Sequence, residues 1–480
     1  MNADHAPRID VSTLAAAVPA GELLAIVGGD VTVADLTLDS RAVRAGMLFA
    51  CVRGAHVDGH DFAADAVAGG AVALLVERHL ELDVAQIVVR DARQALGYVA
   101  AACFEHPSRD LVVVGITGTS GKTTTSNVLA AVLRLAGWPT DVYGTMSGVR
   151  TTPEAPEFQR QLAASRASRR RAVVTEVSSH ALELRRVDGT RFRIAVFTNL
   201  GRDHLDLHGS VEAYFRAKAR LFTPAMSDAA VVNADDTHGR LLIDAADVPT
   251  TAYSLSDVTD VDVGATSTRC RWRGHEVRLA LGGEFNLSNA LAAATAASLL
   301  GVDDGTIASG LSTARPVRGR FEPVDAGQDF TVVVDYSHKP DALESVLRTA
   351  RQVAAGGRVL VTFGCGGDRD PSKRPEMGRI AAEQADVVVV TSDNPRSEDP
   401  LAIIDSIVDG VAARYRHRVC VEPDRRAAIA AVLREARAGD IVIIAGKGHE
   451  TTQTIGSDVL PFDDRAVALE MLRAVLEEPS

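Results

Sequence analysis

Leu111 to Thr125, LVVVGITGTSGKTTT, decides the fold. Leu111–Ile116 is a continuous apolar run rich in valine, which reads as a buried parallel strand. Gly118-Thr119-Ser120-Gly121-Lys122-Thr123 follows at once, and an apolar helical pattern runs from Asn127 to Leu135. Strand, glycine loop and helix together cradle phosphate. The glycines let backbone N–H groups approach an anion, and the helix N-terminus adds partial positive charge. Lys122 can reach the outer phosphates and the Thr123 hydroxyl can hold Mg²⁺. The spacing departs from G-x-x-x-x-G-K-[ST], because the nearest upstream glycines are Gly118 and Gly115. A plain glycine turn is the competing reading; the valine strand before the loop and the Lys-Thr pair within it favour phosphate.

Working outward, residues 1–108 alternate short strand-like runs (Leu36–Ser40, Met47–Val52, Ala73–Val76, Ile87–Val89) with alanine-rich helices such as Phe62–Ala71. His106-Pro107-Ser108 reads as a linker, since proline disfavours helix in the residue before it. Residues 109–316 form a nucleotide-binding domain. Further apolar runs there, at Ala172–Val174, Ile194–Phe197 and Ala229–Val232, are each followed by polar residues. Ligands of open parallel sheets gather at the carboxyl ends of strands. Those ends carry Glu176, then Asn199 with Asp203 and His204, then Asn233 with Asp235. Glu284–Leu300 reads as a strong helix with asparagines near its start. Residues 317–480 show regular strand–helix alternation, a Rossmann-like pattern without the G-x-G-x-x-G fingerprint of a dinucleotide site.

The chain has 480 residues, for which about three domains is the expectation. A net charge of −12 with interspersed signs argues against a general nucleic-acid binder. Five scattered cysteines without a C-x-x-C pair read as free thiols in a reducing cytosol. The first residues carry no signal-peptide pattern, and no apolar run approaches the ~18 residues of a membrane helix. The expectation is a cytoplasmic monomer that binds neither nucleic acid nor membrane.

Several residues carry chemistry. Glu176 ends a strand beside the phosphate loop, where a carboxylate suits a hard cation; a solvated loop glutamate is the alternative. The run NLGRDHLDLHG, Asn199–Gly209, is dense in ligand-type side chains, without the spacing of a closed zinc site. It fits metal or phosphate contact, or ordinary loop polarity. Lys218 sits in a helical pattern that by itself reads as a surface lysine. Three further strand ends, FGCGGDRD (Phe363–Asp370), TSDNPR (Thr391–Arg396) and GKGHE (Gly446–Glu450), supply arginines and acids to one sheet edge. Arg369 and Arg396 can grip carboxylates, while Asp393 and Glu450 can receive an ammonium. That mixture suits a zwitterionic ligand; a solvated charged rim is the alternative.

Taken with LDSR (Leu38–Arg41), TTPEA (Thr151–Ala155), EVSSHAL (Glu176–Leu182), KARLF (Lys218–Phe222) and DYSHKPDAL (Asp335–Leu343), these stretches resemble the Mur ligase family. The likeness covers nearly the whole chain and is nearest the MurE-type, diaminopimelate-adding branch. It implies an α/β protein of three domains: a small N-terminal α/β substrate domain, a central P-loop parallel-sheet domain and a C-terminal Rossmann-like domain. The implied activity is ATP-dependent ligation of meso-diaminopimelate to UDP-N-acetylmuramoyl-L-alanyl-D-glutamate through an acyl phosphate. By position, Gly118, Thr119, Ser120, Gly121, Lys122, Thr123 and Thr124 would hold ATP, with Asn286 and Asn289 near the nucleotide. Thr123, Glu176, His204 and a carbamylated Lys218 would serve Mg²⁺. Leu38, Ser40, Thr151, Thr152, Ser178 and Arg186 would contact the UDP-substrate. Arg369, Asp393, Asn394, Pro395, Arg396, Gly446 and Glu450 would hold diaminopimelate, with Arg396 on the distal carboxylate that lysine lacks. One departure is the short MSGVR, Met146–Arg150, where the family carries a longer loop. It keeps open a paralogue with another acyl substrate or amine, such as lysine, beside the alternative of a non-catalytic nucleotide-binding relative.

Overall fold

The computed structural model describes residues 8–54, 57–148, 150–201, 203–354 and 356–477, with only the backbone of Leu205 and Asp206. Arg202, and the side chain of Asp206 in the ligand-rich run, therefore lie outside the described residues. The chain forms two compact units: one runs to Leu200 and resumes at His204–Tyr253, the other comprises Gly201–Asp203 and everything from Ser254.

In the first unit, β1 (Leu23–Val27), β2 (Asp35–Thr37), β3 (Met47–Ala50), β4 (Ala71–Val76) and β5 (Ala85–Val89) pair in the order β1-β5-β4-β3-β2. Only the β1–β5 pairing is antiparallel. Helix α1 (Ala92–Cys103) packs alanines against this sheet, with Asp91 accepting from the Gln94 N–H as its cap. The larger sheet follows: β6 (Val112–Thr117), β7 (Thr140–Tyr143), β8 (Ala172–Glu176), β9 (Ile194–Phe197), β10 (Ala230–Asn233) and β11 (Thr250–Tyr253). Its order is β11-β10-β9-β6-β8-β7 and every pairing is parallel. Valine-rich runs suit it because a parallel sheet is buried on both faces. Chain order reverses beside β6, so ligands belong at its carboxyl end. Register sets Glu176 opposite Ile116 and Phe197 opposite Thr117, so the residues after β6, β8 and β9 emerge together.

The second unit begins with an antiparallel sheet of β12 (Val258–Val263), β13 (Thr268–Trp272) and β14 (His275–Leu279). Sequence reading passed over it. The period-2 signal is present, since Cys270, Trp272, Val277 and Leu279 are buried between exposed Arg269, Arg271, Glu276 and Arg278. Helix α2 (Glu284–Leu299) comes next, then β15 (Glu322–Pro323), β16 (Thr331–Asp335), β17 (Val359–Phe363), β18 (Val387–Val390), β19 (Val419–Val421) and β20 (Ile441–Ala445). These pair as β15-β16-β20-β17-β18-β19, parallel except at β15. A hairpin, β21 (Thr452–Ile455) and β22 (Asp458–Pro461), was likewise unforeseen. Elsewhere the expected strands appear within a few residues. The phosphate-loop helix starts at Lys122, five residues earlier than its apolar pattern, because Gly121 at φ +85° caps a first turn made of polar residues.

Cys51, Cys103, Cys270 and Cys365 are buried free thiols, and Cys420 is exposed. Burial pushes the Cys51, Cys103 and Cys365 thiols up to about 12. A thiol reagent at pH 8 should label one cysteine, Cys420, in the native protein and all five after unfolding; rapid native labelling of a second thiol, read by intact mass, would contradict this packing. Among the described residues no helix is long and apolar enough to cross a membrane.

Candidate active site

The glycine loop leaves β6 in a conformation its residues dictate. Gly118 has φ +150°, and a Cβ there would stand 1.9 Å from Thr198 Oγ1, so only glycine fits. The residues after β9 staple the loop down. Thr198 Oγ1 donates to Ser120 O at 2.7 Å, Asn199 Oδ1 accepts from Ser120 N at 2.9 Å, and Thr119 N donates to Asn199 O at 2.9 Å. Lys122 Nζ donates to Gly118 O at 2.8 Å and to Thr119 O at 2.9 Å. Thr123 and Thr124 are buried in the first helical turn.

Lys218 corrects the sequence pattern. It is 1% exposed, and its Nζ donates to the same Gly118 carbonyl at 2.9 Å while lying 4.6 Å from the Tyr214 ring centroid. Its helix, Val211–Ala219, buries Tyr214, Ala217 and Lys218, the i, i+3, i+4 face. Tyr214 also reaches the loop, with its hydroxyl 3.0 Å from Thr119 Oγ1. Lys122 and Lys218 thus converge on one loop carbonyl.

Glu176 is 1% exposed and accepts from Thr145 N at 3.0 Å and Thr145 Oγ1 at 3.2 Å. A Cβ on Gly144 would sit 2.2 Å from its Oε1, so a glycine there lets the carboxylate lie against the backbone. His204, at φ +52°, stands edge-on to His180 with ring centroids 4.4 Å apart. Its neighbour Asp203 belongs to the second unit, where Lys339 Nζ lies 2.5 Å from its carboxylate.

Thr152 Oγ1 donates to Glu176 O at 2.9 Å and accepts from Ser178 N at 3.1 Å, fastening the expected substrate threonines to the end of β8. Ser178 caps the turn that follows. Arg186 Nη1 donates to Thr152 O at 3.3 Å, and its Nε lies 2.9 Å from Glu154. Glu154 also pairs with Arg93 at 2.9 Å and with Arg150, from the short loop, at 3.1 Å. Burial, only partly offset by Glu154, holds the Arg186 guanidinium below its ordinary pKa. Arg93 gives no signal in the sequence, and Glu154 lies within TTPEA without a role assigned to it there. Beside them a cavity of about 260 Å³ is lined by Tyr143, Ser147, Arg150, Thr151, Glu157 and Gln161. Leu38 packs on the N-terminal core, and Ser40 opens a 3₁₀ turn after β2.

In the second unit, Asp393, Asn394, Gly446 and Glu450 lie together, with Pro395 and Arg396 next in the same loop. Asn394 Nδ2 donates to Glu450 Oε2 at 2.8 Å and to Asp393 Oδ1 at 3.0 Å. A Cβ on Gly446 would stand 2.6 Å from Asp393 Oδ2. Arg396 Nη1 donates to Gly367 O at 2.6 Å, and Gly367 in turn packs directly on Pro395 O. Arg369 is exposed on the neighbouring loop. Beneath lies a pair that sequence reading missed. Arg425 and Asp464, both side chains fully buried, meet at 2.7 Å. The same guanidinium donates to Ser392 O at 3.3 Å and Ala445 O at 2.9 Å, so it ties together the ends of β18 and β20. Burial pushes the Asp393 carboxyl up, against the pull of Arg425 and Lys447. Asn286 and Asn289 are buried in α2, where Asn286 Nδ2 donates to Gly282 O at 2.8 Å.

Three domain families match in sequence order. The Mur ligase family catalytic domain covers residues 32–112, the Mur ligase middle domain 116–297, and the Mur ligase glutamate ligase domain 319–448. The chain belongs to the Mur ligase family. Among its Mur ligase relatives is the UDP-N-acetylmuramoyl-L-alanyl-D-glutamate--2,6-diaminopimelate ligase of Syntrophomonas wolfei, 43% identical, covering 92% of this chain and 95% of the relative. The protein of the same name from Streptomyces coelicolor is 44% identical, covering 95% and 97%. A solved structure of a ligase with this name is 34% identical with a TM-score of 0.65, covering 92% of this chain and 95% of that one. A MurF ligase from Thermotoga maritima in complex with ADP, 20% identical with a TM-score of 0.60 over 92% and 97%, shares the fold.

Mur ligases of this kind are ATP-dependent enzymes that form amide bonds, and the three-domain α/β architecture is theirs. The donors present in the first unit fit Mg²⁺. Glu176 and Thr123 offer oxygen, which a hard cation prefers, and the Glu176 carboxylate sits in a cradle that any side chain at position 144 would fill.

Proposed function

We propose that this protein joins the amino group of meso-diaminopimelate to the D-glutamyl carboxylate of UDP-N-acetylmuramoyl-L-alanyl-D-glutamate, at the expense of ATP. The observation that carries the reading is the hydrogen-bonded cluster of Asp393, Asn394 and Glu450 with Arg396 on the same loop. It sets acids for an ammonium beside an arginine for a carboxylate, within a chain 43% identical to a diaminopimelate-adding relative.

ATP binds with its phosphates over residues 118–124, where Lys122 and the N–H groups of the loop offset negative charge developing during phosphoryl transfer. Mg²⁺, held by Thr123, Glu176, His204 and carbamylated Lys218, would supply further charge stabilisation on the phosphate oxygens. Carbamylation turns the Lys218 cation into a carboxylate-like ligand. Asn286 and Asn289 serve the nucleotide. Leu38, Ser40, Thr151, Thr152, Ser178 and Arg186 hold the UDP-substrate, whose carboxylate attacks the γ-phosphorus of ATP to give an acyl phosphate and ADP. Asp393, Asn394 and Glu450 orient the incoming amine, while Arg369 and Arg396 hold its carboxylates. The amine then attacks the acyl carbon, phosphate leaves with the C–O electron pair, and the nitrogen loses a proton. Holding the reactants in register is the larger part of such catalysis. The reading includes a monomer in the cytoplasm and domain boundaries near residues 108 and 316.

The deciding assay is ADP release by the purified protein with ATP, Mg²⁺ and the UDP-dipeptide, comparing meso-diaminopimelate with L-lysine. Diaminopimelate-dependent release, with a tripeptide product by mass, is the expected result. Arg396→Lys should narrow the preference over lysine by about tenfold or more, since a bidentate carboxylate grip is lost. Turnover with lysine alone would overturn the reading. ATP binding without turnover on either amine would favour a second reading, a different acyl substrate. That reading rests on Arg150 of the short loop, which joins Arg93 and Arg186 on the single carboxylate of Glu154.

A further inference from the structure

Lys447, in the GKGHE stretch, is fully buried, which is rare for a lysine. Its Nζ lies 2.5 Å from Thr452 O, 3.2 Å from Glu450 Oε2 and 3.3 Å from Asn394 Oδ1. Those acceptors belong to three segments: the first residue of β21, the loop after β20 and the loop after β18. The same Asn394 Oδ1 accepts from Thr454 N at 3.0 Å, and Arg396 N donates to Thr454 O at 3.0 Å. Gln453 Nε2 donates to Asp393 O at 2.7 Å. The hairpin β21–β22 is thus sewn to the Asp393–Arg396 loop, with one buried ammonium at the seam.

We infer that Lys447 is the positioning residue of the amino-acid pocket, setting Glu450 and Asn394 in the orientation that receives the substrate ammonium. The inference rests on the reading of this pocket as the amino-acid site. With its side chain fully enclosed, Lys447 cannot touch a ligand and acts through its partners. Glu450 Oε2 is committed to Lys447 and to Asn394 Nδ2, which restrains the carboxylate. Asn394 takes Lys447 on its oxygen and gives its nitrogen to the acids, so its amide is held in one of its two flips. The Lys447 charge also pulls the Asp393 carboxyl down against the burial that raises it, so losing that charge would cost negative charge where an ammonium must bind.

The test uses the full-length protein with ATP, Mg²⁺, the UDP-dipeptide and meso-diaminopimelate, comparing wild type with Lys447→Met and Lys447→Gln. The KM for diaminopimelate should rise by about ten- to a hundredfold, the scale of hydrogen bonds to charged groups, and kcat should fall far less. The KM values for ATP and the UDP-dipeptide should stay within about twofold, as for a defect confined to one substrate. The acid limb of kcat/KM for diaminopimelate should move to higher pH, a change that loosened packing alone would not produce. In a Glu450→Gln background the added effect of Lys447→Met should shrink, because the partner it acts through is already neutral. An unchanged diaminopimelate KM and pH profile in an active enzyme would overturn this inference alone. Absence of wild-type turnover with diaminopimelate would overturn the functional reading and this inference with it. Failure of both variants to fold, judged by circular dichroism and ATP binding, would make Lys447 a stabilising residue and overturn the positioning role.

Discussion

Lys122→Ala lowers ADP release by about 10²–10³-fold, the cost of removing one preorganised group from a site of developing charge. The expectation follows from placement. Lys122 opens the helix after β6, and its ammonium lies over the carbonyls of Gly118 and Thr119. Phosphate bound to the loop N–H groups, as proposed, would meet that charge directly. The loop should survive the change, because its shape is held by Thr198 and Asn199 rather than by the lysine. Thermal unfolding should therefore move little while turnover collapses. ADP release at the wild-type rate by a folded Lys122→Ala protein would remove this loop from phosphoryl transfer.

Asp464→Ala should destabilise the second unit by about 3–5 kcal/mol, because it strands a guanidinium in the interior. Arg425 and Asp464 are both fully buried, and Arg425 also binds carbonyls at the ends of β18 and β20, the two strands that flank β17. For a unit of this size the loss corresponds to a fall of roughly 6–20 °C in its transition temperature. Calorimetry should show that transition moving while that of the first unit holds. The double change Arg425→Met with Asp464→Leu should recover most of the loss, since well-packed apolar replacements of a buried pair are often neutral. A shift of less than about 1 °C for Asp464→Ala would mean that water reaches the site and that the pair is not the lock between β18 and β20. Because those strands lead to Asp393 and Gly446, the KM for diaminopimelate should also rise.

Much of this protein is legible from its sequence. Apolar runs long enough for one buried strand, each ending in a polar cluster, mark β6 and β9 to within a residue or two, and the motifs at Phe363 and Gly446 mark the ends of β17 and β20. Their periodicity needs no partner to be read, because strands buried on both faces carry the same chemistry throughout. The antiparallel strands β12–β14 were missed because one face is charged, and short alternating runs of arginine and valine resemble exposed loop. The hairpin β21–β22 was missed for a related reason: several of its side chains are exposed, and nothing local marks the loop it grips. Residues clustered in motifs are legible as candidates, whereas Arg93, Arg425 and Asp464 stand alone in the chain and give no signal.

The sequence alone determined the strand–loop–helix at Gly118–Thr124, the alternation that builds the parallel sheets, and the ordered motifs that mark the family. These are local patterns, and local sterics and hydrophobic periodicity suffice to express them. Only the tertiary structure decided which lysines are buried. Lys218 shares the Gly118 carbonyl with Lys122 across nearly a hundred residues of chain, and Lys447 meets Asn394 across a separation of 53. It also decided that Asp203 and His204, adjacent in sequence, belong to different units. For the two lysines the physical reason is the same. Burial of a charge becomes tolerable only when distant segments supply its partners, and no window of sequence contains them.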